Sequence, residues 1–94
     1  MKTSIILPSY GRPEQLHRCV NNILDTTVGL DTEVIVVLDD DLPSLEAVQY
    51  MPVTILSRQN RGTCITAWND GAAIAKGDVF VAAADDFVFY PNWL

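Results

Sequence analysis

Positive charge is scarce in this chain. It holds 6 Lys and Arg residues against 12 Asp and Glu residues, for a formal net charge of −6, and its basic residues form no run. Binding to a nucleic-acid backbone needs clustered Lys and Arg, so the composition argues against a nucleic-acid partner. A phosphate-bearing ligand would need a metal bridge or local arginines.

Cysteines and long apolar runs are also few. Cys19 and Cys64 lie far apart and outside a C-x-x-C pattern, each in a predicted helix. We therefore expect two small buried thiols and a reducing compartment. The uncharged run Ser4 to Leu7, ended by Pro8, is too short for a signal sequence or a membrane span, which predicts a cytoplasmic location. The 94 residues contain no repeat or linker, so we expect one domain, residues 1–94.

The apolar pattern predicts alternating strands and helices. We expect strands over residues 4–7, 33–38, 53–56 and 79–84, and helices over 13–24, 43–50 and 63–76, with a further helix starting near residue 90. The third helix should pack through Ile65, Trp68, Ala72 and Ala75 and end at a Gly77 cap. The fourth strand is uncharged throughout, as expected of a strand buried on both faces. This order predicts an α/β fold with a parallel sheet of about four strands.

Unusual polar residues follow every predicted strand. Ligands of open parallel sheets bind outside the carboxyl ends of the strands, so these residues should share one edge. They are Ser9, Tyr10 and Arg12 after the first strand, Asp39 to Asp41 after the second, Arg58 and Arg61 after the third, and Asp85 and Asp86 after the fourth.

Several chemistries are open to these residues. Adjacent carboxylates such as Asp85 and Asp86 repel each other unless a cation lies nearby, and carboxylate oxygens suit Mg²⁺ or Mn²⁺; a solvated acidic turn is the alternative. Arg58 and Arg61 match phosphate oxygens, but either could equally form an ion pair with a nearby Asp. Tyr10 could stack on a base or simply cover the sheet edge.

Four segments together resemble family 2 glycosyltransferases of the GT-A fold. Residues 4–13, SIILPSYGRP, are similar to the first strand and its P-[ST]-Y-N-R turn, and residues 33–40, EVIVVLDD, to the second strand and its V-D-D-G-S loop. Residues 60–62, 67–71 and 75–78 resemble the segment N-x-G…A-x-N-x-G…A-x-G-D/E. Residues 84–91, ADDFVFYP, resemble the metal-binding D-x-D or D-D motif and its downstream proline.

The resemblance implies a Rossmann-like half that binds a nucleotide-diphospho-sugar, expected to be a UDP-sugar. It implies that Pro8 and Tyr10 line the base, that Asp40 contacts its uracil-like edge beside Asp39, and that Arg58 or Arg61 holds the base or the diphosphate. Asp85 would reach the ribose or sugar, and Asp86 would coordinate Mn²⁺ or Mg²⁺. The full set of expected nucleotide- and sugar-binding residues is Pro8, Ser9, Tyr10, Arg12, Asp39, Asp40, Arg58, Arg61 and Asp85.

Family members are longer than this chain. The resemblance therefore implies the donor-binding half of a glycosyltransferase that transfers a sugar to an acceptor hydroxyl, without the acceptor half and its catalytic base. A non-catalytic nucleotide or nucleotide-sugar binding module is the alternative for this chain alone. An open sheet edge also makes a homo-oligomer an expectation. A receiver-like signalling domain fits less well, because its acidic pair follows the first strand, where this chain has Pro8, Ser9 and Tyr10.

Overall fold

The computed structural model describes residues 1–59 and 62–94 and contains a single four-stranded sheet. Its strands are β1 (Thr3–Ser9), β2 (Thr32–Asp39), β3 (Thr54–Arg58) and β4 (Val79–Ala82), in the order β3-β2-β1-β4. The helices are α1 (Pro13–Thr26), α2 (Leu42–Val48) and α3 (Cys64–Ile74). All three strand pairings are parallel, which confirms the predicted α/β class.

Helices cover both faces of the sheet. On one face, the apolar stripe of α1, including Leu16, Val20 and Ile23, is fully buried and belongs to the same core as Ile5 and Leu7 of β1. Residues of α2 join this core. The alternate side chains of the central strands, Ile6, Ile35 and Val37, point to the opposite face and pack with Ala67 of α3.

The helix α3 lies very close to the sheet. A Cβ atom on Gly71 would lie 2.5 Å from the Ile6 side chain, so a larger residue at this position would force neighbouring atoms to shift. Ala67 and Gly71 are the buried residues of α3, while Ile65 is 63% exposed, so its predicted place on the inner face is wrong. Ile65 precedes Ala67 by two residues, which is about 200° around the helix and therefore on the far side.

The strand β4 differs from its prediction. Val79 is 39% exposed and Phe80 is 50% exposed, so β4 is not buried on both faces. The reason is the strand order, which places β4 at the edge of the sheet. The chain after Tyr90 forms a turn and not the expected helix; there the Trp93 ring packs on Phe89 at a tilt of 49°, with ring centroids 4.5 Å apart.

The end of one strand and the end of one helix also differ from their predicted positions. The strand β1 continues through Pro8 to Ser9. Pro8 is tolerated because β4 pairs with β1 only as far as Ile6, so β1 has lost one ladder neighbour at that point. The helix α3 ends at Ile74 with extended backbone at Ala75, so the predicted left-handed cap at Gly77 is wrong.

Gly77 instead allows a close contact between the α3–β4 connection and β1. A Cβ atom there would lie 2.8 Å from the backbone nitrogen of Ser4. The Gly77 N–H donates to Ser4 Oγ (2.9 Å), and the Ser4 hydroxyl donates to Glu33 Oε2 (2.6 Å), which also accepts from the Lys76 N–H (2.6 Å). Burial would raise the pKa of Glu33, but these hydrogen bonds and the nearby lysine charges lower it overall. This network fixes where β4 begins.

Candidate functional site

A cavity of about 290 Å³ opens at the carboxyl edge of the sheet, where the strand-end residues were expected to meet. Asp40 and Asp41 are not among its lining residues, and Arg61 lies outside the described residues. The predicted site residues that line the cavity are Pro8, Ser9, Tyr10, Arg12, Asp39, Arg58, Asp85 and Asp86.

Asp85 is buried inside the cavity wall. Its side chain is 2% exposed, and both carboxylate oxygens accept hydrogen bonds. The Ser9 hydroxyl donates to Oδ2 (2.6 Å), Gln15 Nε2 donates to Oδ1 (3.2 Å), and Arg12 contacts both oxygens through Nε (3.2 Å) and Nη2 (3.0 Å). Asp85 therefore connects the end of β4 to the β1–α1 loop.

Asp86 has the opposite environment. It is exposed and lines the same cavity, although it neighbours Asp85 in sequence. Both residues lie in a turn just after β4, where the Asp85 side chain is buried and the Asp86 side chain is exposed. Asp86 is thus the carboxylate of the pair that a ligand can reach.

Asp39 and Arg58 form a second ion pair on the opposite side of the cavity. Arg58 Nη2 donates to Asp39 Oδ2 (2.7 Å) and Nε donates to Oδ1 (2.5 Å), with both side chains largely buried. The Gly62 N–H also donates to Asp39 Oδ2 (3.0 Å). Arg58 Nη1 donates to Asp70 (3.0 Å) and to the Thr66 hydroxyl (3.2 Å). Hydrogen bonding to Asp39, then to Asp70, raises the pKa of Arg58.

The other two residues of the acidic run, Asp40 and Asp41, form hydrogen bonds that involve backbone groups. Asp40 is exposed, with a φ of 47°, and its N–H donates to the Arg58 carbonyl oxygen (2.8 Å). Asp41 caps α2 by accepting from the Ser44 N–H and hydroxyl, and it also accepts from the Gly11 N–H (2.7 Å). Burial raises the pKa of Asp41, but these hydrogen bonds lower it by more, so the pKa lies below its usual value.

The amino end of α3 forms a wall that the sequence interpretation missed. Thr63 and Thr66 cap α3 through reciprocal hydrogen bonds. Thr63, Cys64 and Trp68 line the cavity. Trp68 Nε1 donates to the Ala83 carbonyl oxygen (3.1 Å), which ties α3 to the segment before Asp85. The capping pattern T-x-x-T before an apolar helix was the available sequence signal for this wall.

The two cysteines have different environments. Cys19 is buried, and burial, followed by the charges of Asp85 and Asp86, raises the pKa of its thiol to about 11. Cys64 is exposed at the start of α3, so the expectation of two buried thiols is wrong for this residue. Position 64 lies in the first turn, before the helix contacts the sheet through Ala67 and Gly71.

Comparison with known proteins agrees with this geometry. The sequence profile of glycosyl transferase family 2 matches residues 4–94. The chain belongs to glycosyl transferase family 2. A dolichol-phosphate mannosyltransferase of Pyrococcus furiosus is 33% identical to it. The alignment of the two sequences covers 98% of this chain and 28% of that protein. The chain therefore spans little more than a quarter of the length of this curated relative.

The charge of the cavity lining affects which ions and charged ligands this family 2 chain can bind. Its described lining residues include three carboxylates and two guanidinium groups, a net charge of one negative unit. No cluster of three or more His, Cys, Asp or Glu side chains suited to a metal ion occurs in residues 1–59 and 62–94. Asp39 and Asp85 are each paired with an arginine, so Asp86 is the lining carboxylate that could hold a cation.

Within the part of the chain that the structure describes, no helix is long and apolar enough to cross a bilayer.

Proposed function

We propose that this chain binds the nucleotide-diphospho-sugar donor of a metal-dependent glycosyltransferase that transfers the sugar to an acceptor hydroxyl. The observation that carries the proposal is the cavity at the carboxyl edge, where loops after β1, β2, β3 and β4 converge. The family match supports this activity, and a UDP-sugar is the proposed donor. The acceptor and the catalytic base are left unassigned.

The proposed binding roles follow the strand ends. Pro8 and Tyr10 line one wall, where a base can lie against the half-exposed Tyr10 ring. Asp40 is proposed to contact the uracil edge, with Asp39 beside it; of the two, Asp39 is the one that lines the cavity. Replacing Asp40 with Asn should weaken uridine binding by about 1–3 kcal/mol, and an unchanged uridine affinity would exclude this contact.

The metal proposal rests on Asp86. A diphosphate approaching this cavity meets a net negative wall, so a cation between Asp86 and the phosphates would remove the repulsion. Mg²⁺ commonly binds through one or two carboxylates together with substrate phosphates, which suits a single accessible carboxylate. When bound, such a cation would stabilise the charge of the departing diphosphate.

Calorimetry tests the proposal directly. UDP and Mn²⁺ should each bind more tightly in the presence of the other, by about tenfold or more, because the coupling is reciprocal. Asp86→Ala should remove this coupling. Asp25→Ala is the matched control, since it removes an exposed carboxylate from α1, outside the residues that line the cavity. An equal UDP affinity with Mn²⁺ and with a chelator would refute the metal bridge, and a chain that binds no nucleotide would refute the proposed function.

A further inference from the structure

Among the residues that the structure describes, two arginines line the cavity, and they differ sharply in exposure and hydrogen bonding. Arg58 is 13% exposed, and its Nε, Nη1 and Nη2 all donate hydrogen bonds to protein groups. The Arg12 side chain is 56% exposed, and its hydrogen bonds use only Nε and Nη2, both to Asp85. Within residues 1–59 and 62–94, Arg12 Nη1 has no partner, so Arg12 is the guanidinium with donors left for a ligand.

The orientation of Arg12 is set by a buried carboxylate. Asp85 is 2% exposed and receives Arg12 through two nitrogens, while Ser9 and Gln15 hold its oxygens from β1 and α1. This two-point contact fixes the plane of the guanidinium at the cavity rim. The backbone before Arg12 is held as well, since Gly11 at φ 68° donates its N–H to Asp41.

We propose that Arg12 binds the diphosphate of the ligand and that Asp85 is its positioning residue, acting on the ligand through Arg12. The inference rests on the proposed function, because the phosphates are those of the nucleotide donor. A guanidinium matches phosphate oxygens through paired N–H groups, and one already held in place loses less side-chain entropy on binding. Arg58, whose nitrogens are occupied, instead stabilises the wall that contains Asp39.

The test compares uridine, UDP and inorganic pyrophosphate by calorimetry in the presence of Mn²⁺. Uridine carries the base and the ribose without phosphate, so the ratio of UDP affinity to uridine affinity isolates the phosphate contribution. The variants are Arg12→Ala, Arg12→Gln, Asp85→Asn and the double variant Arg12→Ala with Asp85→Asn. Arg12→Gln keeps a donor for Asp85 if the shorter alanine variant does not fold. Arg18→Ala is the control, since Arg18 is an exposed arginine of α1 outside this cavity.

The expected result is selective and non-additive. Each single variant should lower the UDP-to-uridine ratio by about tenfold or more, the size of a lost charged hydrogen bond, with uridine affinity unchanged. The double variant should lose no more than Arg12→Ala, because both substitutions remove the same contact. Pyrophosphate affinity should fall in parallel, and Arg18→Ala should match the wild type.

Other results would overturn the inference. An unchanged ratio in both Arg12 variants excludes Arg12 as the phosphate contact. If Asp85→Asn weakens uridine as much as UDP, Asp85 touches the ribose directly and is not a positioning residue. Pyrophosphate binding that both Arg12 variants weaken, without binding of UDP or uridine, would refute the proposed function and would leave Arg12 only as a contact for a free diphosphate. Binding of none of the three compounds would refute both.

Discussion

Substitution of Asp39 by Asn should destabilise the protein strongly. Asp39 and Arg58 have side chains that are 9% and 13% exposed, joined by two short hydrogen bonds, and Asp39 also accepts from the Gly62 N–H. Removing one partner of a buried ion pair costs about 3–5 kcal/mol. Asn keeps one acceptor and Arg58 keeps its contact with Asp70, so we expect a loss near the lower end, about 3 kcal/mol.

The matched control is Asp70→Asn, which removes the other carboxylate partner of the same arginine. The Asp70 side chain is 54% exposed, so solvent screens this pair and its loss should cost less than about 1 kcal/mol. Urea unfolding of both variants without ligand measures the difference in the free energy of unfolding. For a chain of this length, the Asp39 variant should also melt about 12–24 °C below the wild type.

The reasoning fails if the two variants lose equal stability. It also fails if Asp39→Asn changes the free energy of unfolding by less than about 0.5 kcal/mol, the ordinary effect of a surface substitution. Either result would mean that the Asp39–Arg58 pair, although buried and bidentate, contributes no more than an exposed one.

Three further outcomes are expected. Gly71→Ala should lower the free energy of unfolding by about 1–2 kcal/mol, because the clash with Ile6 outweighs the better helix propensity of alanine; a stabilised variant would contradict the close packing of α3. At pH 8, iodoacetamide should label exposed Cys64 and spare Cys19, whose pKa is about 11, and bound UDP should slow Cys64 labelling; mass spectrometry of the peptides reports both. The pKa of Asp41 is lowered from 3.8 by folding, so its stabilisation is present above that pH and is lost as pH falls below it; the stability difference between wild type and Asp41→Asn should shrink in acid, and a constant difference would contradict the shift.

Much of the fold followed from local sequence patterns. The apolar spacing in α1 predicts both the helix and its buried face, because residues three and four apart share one side of a helix. The apolar run of β2 is buried as expected, since β2 lies inside the sheet between β3 and β1. The alternation of elements was enough to predict parallel pairing.

The exposure of residues in β4 and α3 depends on where these elements lie in the folded protein, and local sequence patterns do not contain this information. The run of β4 reads like a buried strand, but its place at the sheet edge leaves Phe80 half exposed. Ile65 and Cys64 lie in an apolar helix, yet α3 contacts the sheet through its small residues Ala67 and Gly71. Burial in α3 depends on which face of the helix packs most closely against the sheet, and this is set by the packing of the layers.

The same division holds for the candidate site. Sequence patterns predict which side chains follow each strand, and the ends of parallel strands meet at one edge of the sheet. How these side chains pair depends on the folded arrangement: Asp39 binds Arg58, and Asp85 binds Arg12, 73 positions away in the chain. Such pairs depend on distances and directions between separate loops, to which hydrogen bonds are sensitive within a few tenths of an ångström. Sequence patterns predict where charges gather, and the packed layers determine which of them remain accessible to a ligand.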